Sequence, residues 1–233
     1  MNMDALKKLY GEDYPAAVVV NGVRMRLTRE GRFSRSYRSK EPKMGTEFSR
    51  FMDGSASITA AELREEWPRW TWTQRLDFCQ SCSWLHLQPD FPDMLRFIMK
   101  EGGPDDWSGI APSVAGALPR DEAFALLLPA LRAVPLASAS NIAQGIALTK
   151  HTQAKETLRR HLDDLWRQET LWDDAEHVNW LAYSATTCIA HLIELGAPPA
   201  DFEEQVRRLS QHKCSGNRDS CRNFLSKHYP WLR

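Results

Sequence analysis

The spacing of apolar residues along this chain changes character near residue 57. Before it, Ala16-Ala17-Val18-Val19-Val20 leads into Asn21-Gly22, after which Val23, Met25 and Leu27 alternate with Arg24 and Arg26. Alternation with a period of two marks a half-buried strand, and Asn-Gly suits a two-residue turn whose positions both take positive φ. The pattern predicts a β-hairpin over about 16–28. Residues 29–43 follow with Arg29, Arg32, Arg35 and Arg38 but no apolar face, which predicts an exposed or mobile loop.

After Ser57 the period becomes that of a helix, and capping residues divide the pattern. Ser57 or Thr59 caps a helix to about Trp67, where Pro68 interrupts it. Thr71 or Thr73 opens a segment with Trp72, Leu76, Cys79 and Ser83 on one stripe. Further helices are predicted over 93–100, ending at Gly102-Gly103, over 108–118, and over 122–134 before Pro135. The next runs from Ser138 or Ser140 to about Lys150. A long one runs from Thr152 to about Gln168, and another over 174–195, ended by Gly196. Asp201 opens a helix to about His212; Ser215-Gly216-Asn217 reads as a break before a last helix to about His228.

The helix openings recur. First members of successive pairs start near Thr73, Ser108, Ser140, Asp174 and Ser215, at intervals of 35, 32, 34 and 41 residues. Short, proline-bearing connections force neighbouring helices antiparallel. Periods of this length belong to helical repeats, which bury their apolar faces by stacking. The competing reading is a non-repetitive helical domain with evenly sized helices. Two segments, Trp107-Ser-Gly-Ile-Ala-Pro-Ser-Val-Ala-Gly-Ala-Leu118 and Ser140-Asn-Ile-Ala-Gln-Gly-Ile-Ala-Leu148, resemble first helices of HEAT repeats, with Ala- and Gly-rich faces that permit close helix approach. Segments 121–134 and 154–165 resemble the paired second helices. The resemblance covers about 70–230 and is one of pattern, without an invariant motif. It implies stacked pairs with a concave side and macromolecular binding, and it carries over no catalytic residue. The expected fold class is mainly α: a short α-solenoid of antiparallel helix pairs, HEAT-like, with a small β-hairpin-containing N-terminal segment. The expected division is 1–56 for that segment, with its basic loop, and 57–233 for the helical repeat domain.

Charge sharpens this picture. The net formal charge is zero, but residues 1–60 carry +4, residues 61–204 carry −10 and residues 205–233 carry +6. An acidic body disfavours nucleic acid and favours a basic partner. The plainer reading is a solvated acidic surface. Five cysteines, an odd number, fit free thiols in a reducing compartment better than a disulfide framework. The N-terminus lacks the apolar stretch of an export signal, and no run is long enough to span a bilayer. Cytoplasmic residence is therefore expected, with no membrane association.

Candidate chemistry is sparse. Cys79, Cys82 and His86 would share one face of a continuous helix and could begin a zinc site, yet no fourth ligand lies near in the pattern. Cys79 falls on the apolar stripe, where a free thiol acts as a small hydrophobe. Cys214 and Cys221, with six residues between them, could form a disulfide only outside a reducing compartment. The seven histidines are scattered, and no phosphate-binding loop, nucleophile elbow or dinucleotide fingerprint occurs. The expectation is no catalytic residue, no metal and no cofactor.

Two aromatic clusters stand out. Trp67, Trp70, Trp72 and Trp84 suit either a cap on the first repeat or an exposed anchor. The stretch from His161 to Trp180 sets Asp163, Asp164, Glu169, Asp173, Asp174 and Glu176 among Trp166, Trp172 and Trp180. Aromatic anchors ringed by acid suit recognition of a basic protein; the alternative is a solvated helix end with core tryptophans. The expected partner-binding set is Asp163, Asp164, Trp166, Glu169, Trp172, Asp173, Asp174 and Glu176. These features point to a protein–protein interaction module, such as an inhibitor or immunity-type protein covering a basic partner. The alternative is a HEAT-like DNA glycosylase or another enzyme acting on nucleic acid, which would need a basic groove. The basic ends, 24–43 and 205–233, offer a third route to nucleic acid if they meet in space.

Overall fold

Helix starts in this chain are fixed by side chains that satisfy the first orphan N–H groups. The computed structural model describes residues 58–169 and 179–232, with Thr73, Ser81, Ser83, Trp84 and Leu87 as backbone alone. It also describes the backbone of 17–20, 23–27 and 33–35. The chain divides into two compact units, Met1–Gly45 and Thr46–Arg233.

In the first unit, extended backbone at Ala17–Val20, Val23–Leu27 and Phe33–Arg35 is in antiparallel register, with Val20 opposite Val23 and Leu27 opposite Phe33. The Asn21-Gly22 turn and most of the 29–43 loop lie outside the described residues.

The second unit is mainly helical. Helix α1 spans Ala60–Glu66. Thr59 Oγ1 accepts from the Glu62 N–H at 3.2 Å, and the Glu62 carboxylate accepts from the Thr59 N–H at 2.7 Å. This reciprocal capping box holds the Glu62 carboxyl below its ordinary range. Helix α2, Trp72–Ser81, opens on the same device, built from Thr71 and Gln74. Helix α3 is Phe91–Glu101 and α4 is Pro104–Ala117. The expected start of α4 at Ser108 is corrected: the Gly103 N–H donates to Asp106 Oδ2 at 2.9 Å, and Pro104 takes the first turn, where its missing N–H costs nothing. Helix α5, Arg120–Ala133, continues through Pro129, because Pro129 and Ala125, whose carbonyl the ring deprives of a partner, are both exposed.

Helices α6, Ser140–Thr149, and α7, Ala154–Arg167, follow the expected boundaries closely. Helix α8, Trp180–Glu194, begins later than the expected 174, and residues 170–178 lie outside the described residues. Gly196, at φ +80°, ends that turn in the left-handed region. Helix α9 is Glu203–Ser210 and α10 is Ser215–Leu225. The Ser215-Gly216-Asn217 triplet is thus the first turn of a helix and no break. Arg218 makes this possible by donating to the His212 and Lys213 carbonyls at 2.6 and 2.7 Å, which fastens the entering loop.

These ten helices pack in an order that follows the chain. The even-numbered helices contact one another in succession, α2 to α4 to α6 to α8 to α10. Helices α5, α7 and α9 each lie against the even helices on either side; α3 lies against α4, and α1 against α3. Such sequential packing is compatible with a helical repeat-like fold. Ile110, Ala111 and Val114 of α4, Ile142, Ala143 and Ile146 of α6, and Ala182, Ala185 and Ile189 of α8 are buried.

Glycine sets the spacing of the even helices. A Cβ on Gly145 of α6 would lie 2.8 Å from the Ala111 carbonyl oxygen of α4. A Cβ on Gly109 of α4 would lie 2.8 Å from Cys79 Cβ of α2. Neither contact leaves room for a methyl group.

A second lock joins α8 to α10. Asn217 Oδ1 accepts from the Asn179 N–H and Asn217 Nδ2 donates to the Asn179 carbonyl, both at 2.8 Å. Asn179 Oδ1 in turn accepts from the N–H groups of Leu181 and Ala182, capping α8. Both asparagines are buried, so the pair satisfies backbone groups that water cannot reach.

The tryptophans at the start of the unit divide. Trp67 and Trp70 are buried, 5.9 Å apart, against Phe97 and Phe78. Trp72 is partly exposed, and its Nε1 donates to Asp105 Oδ2 at 3.1 Å. The Trp84 side chain lies outside the described residues.

Gly145→Ala is expected to lower unfolding free energy by about 1–3 kcal/mol in urea titrations, through overpacking. Gly116→Ala, where an added Cβ meets nothing within 4 Å, is expected to be neutral or stabilising by up to about 1 kcal/mol. Asn217→Ala leaves a buried N–H and a buried C=O unpaired and is expected to lower stability by about 2–5 kcal/mol.

Candidate functional site

Helix α7 carries most of the described residues expected to bind a partner. Leu158, Leu162 and Leu165 recur at helical spacing and are buried, which fixes the face α7 turns inward. His161 falls on the same stripe and is 5% exposed. Asp163, Asp164, Arg160 and Arg167 point to water.

Asp163 and Asp164 are adjacent in sequence, and successive helical residues are turned about 100° apart. Asp163 joins Leu162, Trp166, Arg167 and Gln205 around a depression of about 360 Å³. Asp164 lines a larger cleft of about 510 Å³ between the C-terminal half of α5 and the side of α7 that runs from Thr157 to Arg167. Its apolar wall is Leu128, Leu131, Val134 and Leu136; its polar wall includes Thr157, Arg160, His161 and Arg167, with Arg132 at the end of α5.

Arginine answers much of the acid at this end of α7. Asp164 accepts from Arg167 Nη1 at 2.6 Å. Glu169 is paired with Arg208 of α9, whose guanidinium also lies 5.5 Å from the Trp166 ring centre. Trp166 is half-buried. The structure therefore gathers Asp163, Trp166 and Glu169 near α9 and turns Asp164 toward α5. Trp172, Asp173, Asp174 and Glu176 lie outside the described residues.

The α5/α7 cleft was not legible in the sequence, because its walls come from helices separated along the chain. One signal was present: a histidine on an otherwise leucine stripe. His161 Nε2 is buried and has no hydrogen-bond partner among the described residues. Burial pushes the imidazole down to about 4, against the opposing pull of Asp164.

The cysteines do not assemble a reactive centre. Helix α2 ends at Ser81, and a 3-10 turn over Cys82–Leu87 follows. This breaks the periodicity that would have put Cys79, Cys82 and His86 on one face: both thiols are buried, whereas His86 is exposed. Cys82 Sγ donates to the Cys79 carbonyl, and burial raises that thiol to about 12. Burial also raises Cys79, and it raises Cys221 to about 11. Protonated thiols are poor nucleophiles and poor metal ligands. Cys214 and Cys221 are both buried. Among the described residues no group of three or more His, Cys, Asp or Glu is arranged to hold a metal ion, and no helix is long and apolar enough to cross a membrane.

No protein-family model, curated protein or solved structure matches this chain.

The buried neutral His161 has a consequence for pH. Its folded-state value, about 4, lies below that of the unfolded chain, about 6.5. The unfolded state therefore binds the extra proton between those limits, so the stabilising contribution is complete above pH 6.5 and lost as pH falls toward 4. Urea titrations from pH 7 to 4 are expected to show the unmodified chain losing about 3 kcal/mol more than His161→Phe.

Proposed function

We propose that this chain is a protein-binding scaffold: a HEAT-like α-solenoid of antiparallel helix pairs, with the β-hairpin segment at its N-terminus, that covers a basic surface on a partner in the manner of an inhibitor or immunity-type protein. The observation that carries the reading is the environment of Trp166. There an arginine of the chain itself, Arg208, already rests over the indole and pairs with Glu169. An aromatic face beside carboxylates is chemistry that recognises guanidinium groups. Exposed Asp163 in the adjoining depression offers the same pairing to an arginine or lysine from outside. The acidic residues that follow, Asp173, Asp174 and Glu176, extend the surface in sequence. With Trp172 they complete the proposed set.

The test is a charge-reversed variant, Asp163→Lys, Asp164→Lys, Asp173→Lys and Asp174→Lys, expressed in place of the native chain. Surface changes of this kind are expected to shift stability by no more than about 0.5 kcal/mol each, so circular dichroism and melting should stay near native. Proteins co-purifying with the native chain are expected to be lost from the variant. Recovery of the same partners would remove the acidic surface from the interaction.

A further inference from the structure

The α5/α7 cleft differs from the other junctions of the helical unit. Helix α3 is fastened to α5 by a two-pronged pair, Arg96 Nε to Glu122 Oε1 at 2.6 Å and Nη2 to Oε2 at 3.0 Å. Helix α7 is fastened to the 3-10 turn Pro199–Phe202 by the Arg159–Asp201 pair and by Arg159 over the Phe202 ring. Between the cleft's two walls no described ion pair or hydrogen bond is found. The nearer ends of the two helices are joined instead by His151, stacked 4.0 Å from Phe124. From Leu128 on α5 and Thr157 on α7 onward the two helices leave about 510 Å³ between them, within the roughly 300–1,000 Å³ usual for small-molecule sites.

Three properties of this space specify a guest. Its floor is aliphatic, with Leu131 and Val134 buried and Leu128 and Leu136 half-buried. Its charge is positive although the surrounding body is acidic: Arg132, Arg160 and Arg167 line it against the one carboxylate of Asp164, which Arg167 already holds. Arg132 has no acid partner among the described residues, and Arg160 has Glu156 of its own helix, an exposed pair worth little in water. The third property is His161 Nε2, a polar atom at a 95% buried residue that meets no partner among the described residues. A buried polar atom in that state weakens the fold unless something outside the chain completes it.

We propose that the α5/α7 cleft binds a small amphipathic carboxylate. The apolar body lies on Leu128, Leu131 and Leu136, the carboxylate is held by Arg132 and Arg160, and a turn of the His161 ring brings Nε2–H, covered in this structure, to donate the remaining hydrogen bond. The inference does not rest on the protein-binding reading, which uses Asp163 and Trp166 on another face of α7.

The full-length chain is titrated calorimetrically with decanoate, with decyltrimethylammonium as the same tail under opposite charge, and with N-acetyl-trileucine as a peptide acid. Decanoate is expected to bind saturably at one site and to move the His161 imidazole nitrogen resonances in step, while the cation does not bind. Arg132→Glu with Arg160→Glu, both exposed and therefore expected to leave the fold intact, should weaken decanoate at least about ten-fold; His161→Phe should weaken it about ten-fold. Asp163→Lys should leave the affinity unchanged. No saturable binding of decanoate, equal binding of the cation, undiminished affinity in the double arginine variant, or preference for the peptide acid would each overturn the proposal.

Discussion

Backbone contact between consecutive even-numbered helices is the constraint on which the helical unit rests. Gly109 and Gly145 lie where any side chain would collide with the preceding even helix, on Cys79 in one case and on the Ala111 backbone in the other. Alanines complete the same faces, with Ala111 and Ala143 buried. Small residues bring the helices close, and closeness multiplies dispersion contacts that are individually weak. The odd-numbered helices then settle against the even helices already in place, so their mutual spacing is a consequence and is free to vary. Where ion pairs bridge them, as between Arg96 and Glu122, they are held. Where none does, as between α5 and α7, a cleft remains.

Two buried polar sites contrast in the same way. Asn179 and Asn217 sit at a junction of even helices, and each spends its hydrogen-bonding capacity on backbone groups that no water reaches. That junction is closed and satisfied. His161 sits at a junction of odd helices and lines the cleft, and its covered Nε2 meets no partner among the described residues. A closed, satisfied site contributes stability and specificity. An open, unsatisfied one retains the capacity to bind.

Net charge over a segment is a poor guide to the field at a surface. The stretch 61–204 carries −10, yet at the end of α7 the carboxylates of Asp164 and Glu169 are matched by Arg167 and Arg208, and the neighbouring cleft sets three lining arginines against the carboxylate of Asp164. Helical rotation separates Asp163 from Asp164, and tertiary packing delivers Arg208 from α9. On one side of α7 the Asp164 carboxylate is thus already held by Arg167, while on the other Asp163 faces the depression beside α9.

The sequence by itself determined the helical class of the second unit, most helix boundaries and the small-residue faces, because capping, proline placement and apolar period act within a few residues of one another. Thr59 and Thr71 with their partners at the third helical position, Pro135 after α5, and Gly145 on α6 are examples. Boundaries misread from sequence, at Ser108 and at Ser215-Gly216-Asn217, depended on partners that local spacing does not reveal. Asp106 reaches back to Gly103, and Arg218 and Asn217 fasten their turn to the preceding loop and to Asn179. The cleft, the exposure of His86 away from its neighbouring thiols, and the pairing of Glu169 with Arg208 were decided only by tertiary structure. Each depends on the distance between residues dozens of positions apart or on a local change of helical pitch, and neither quantity is encoded in periodicity.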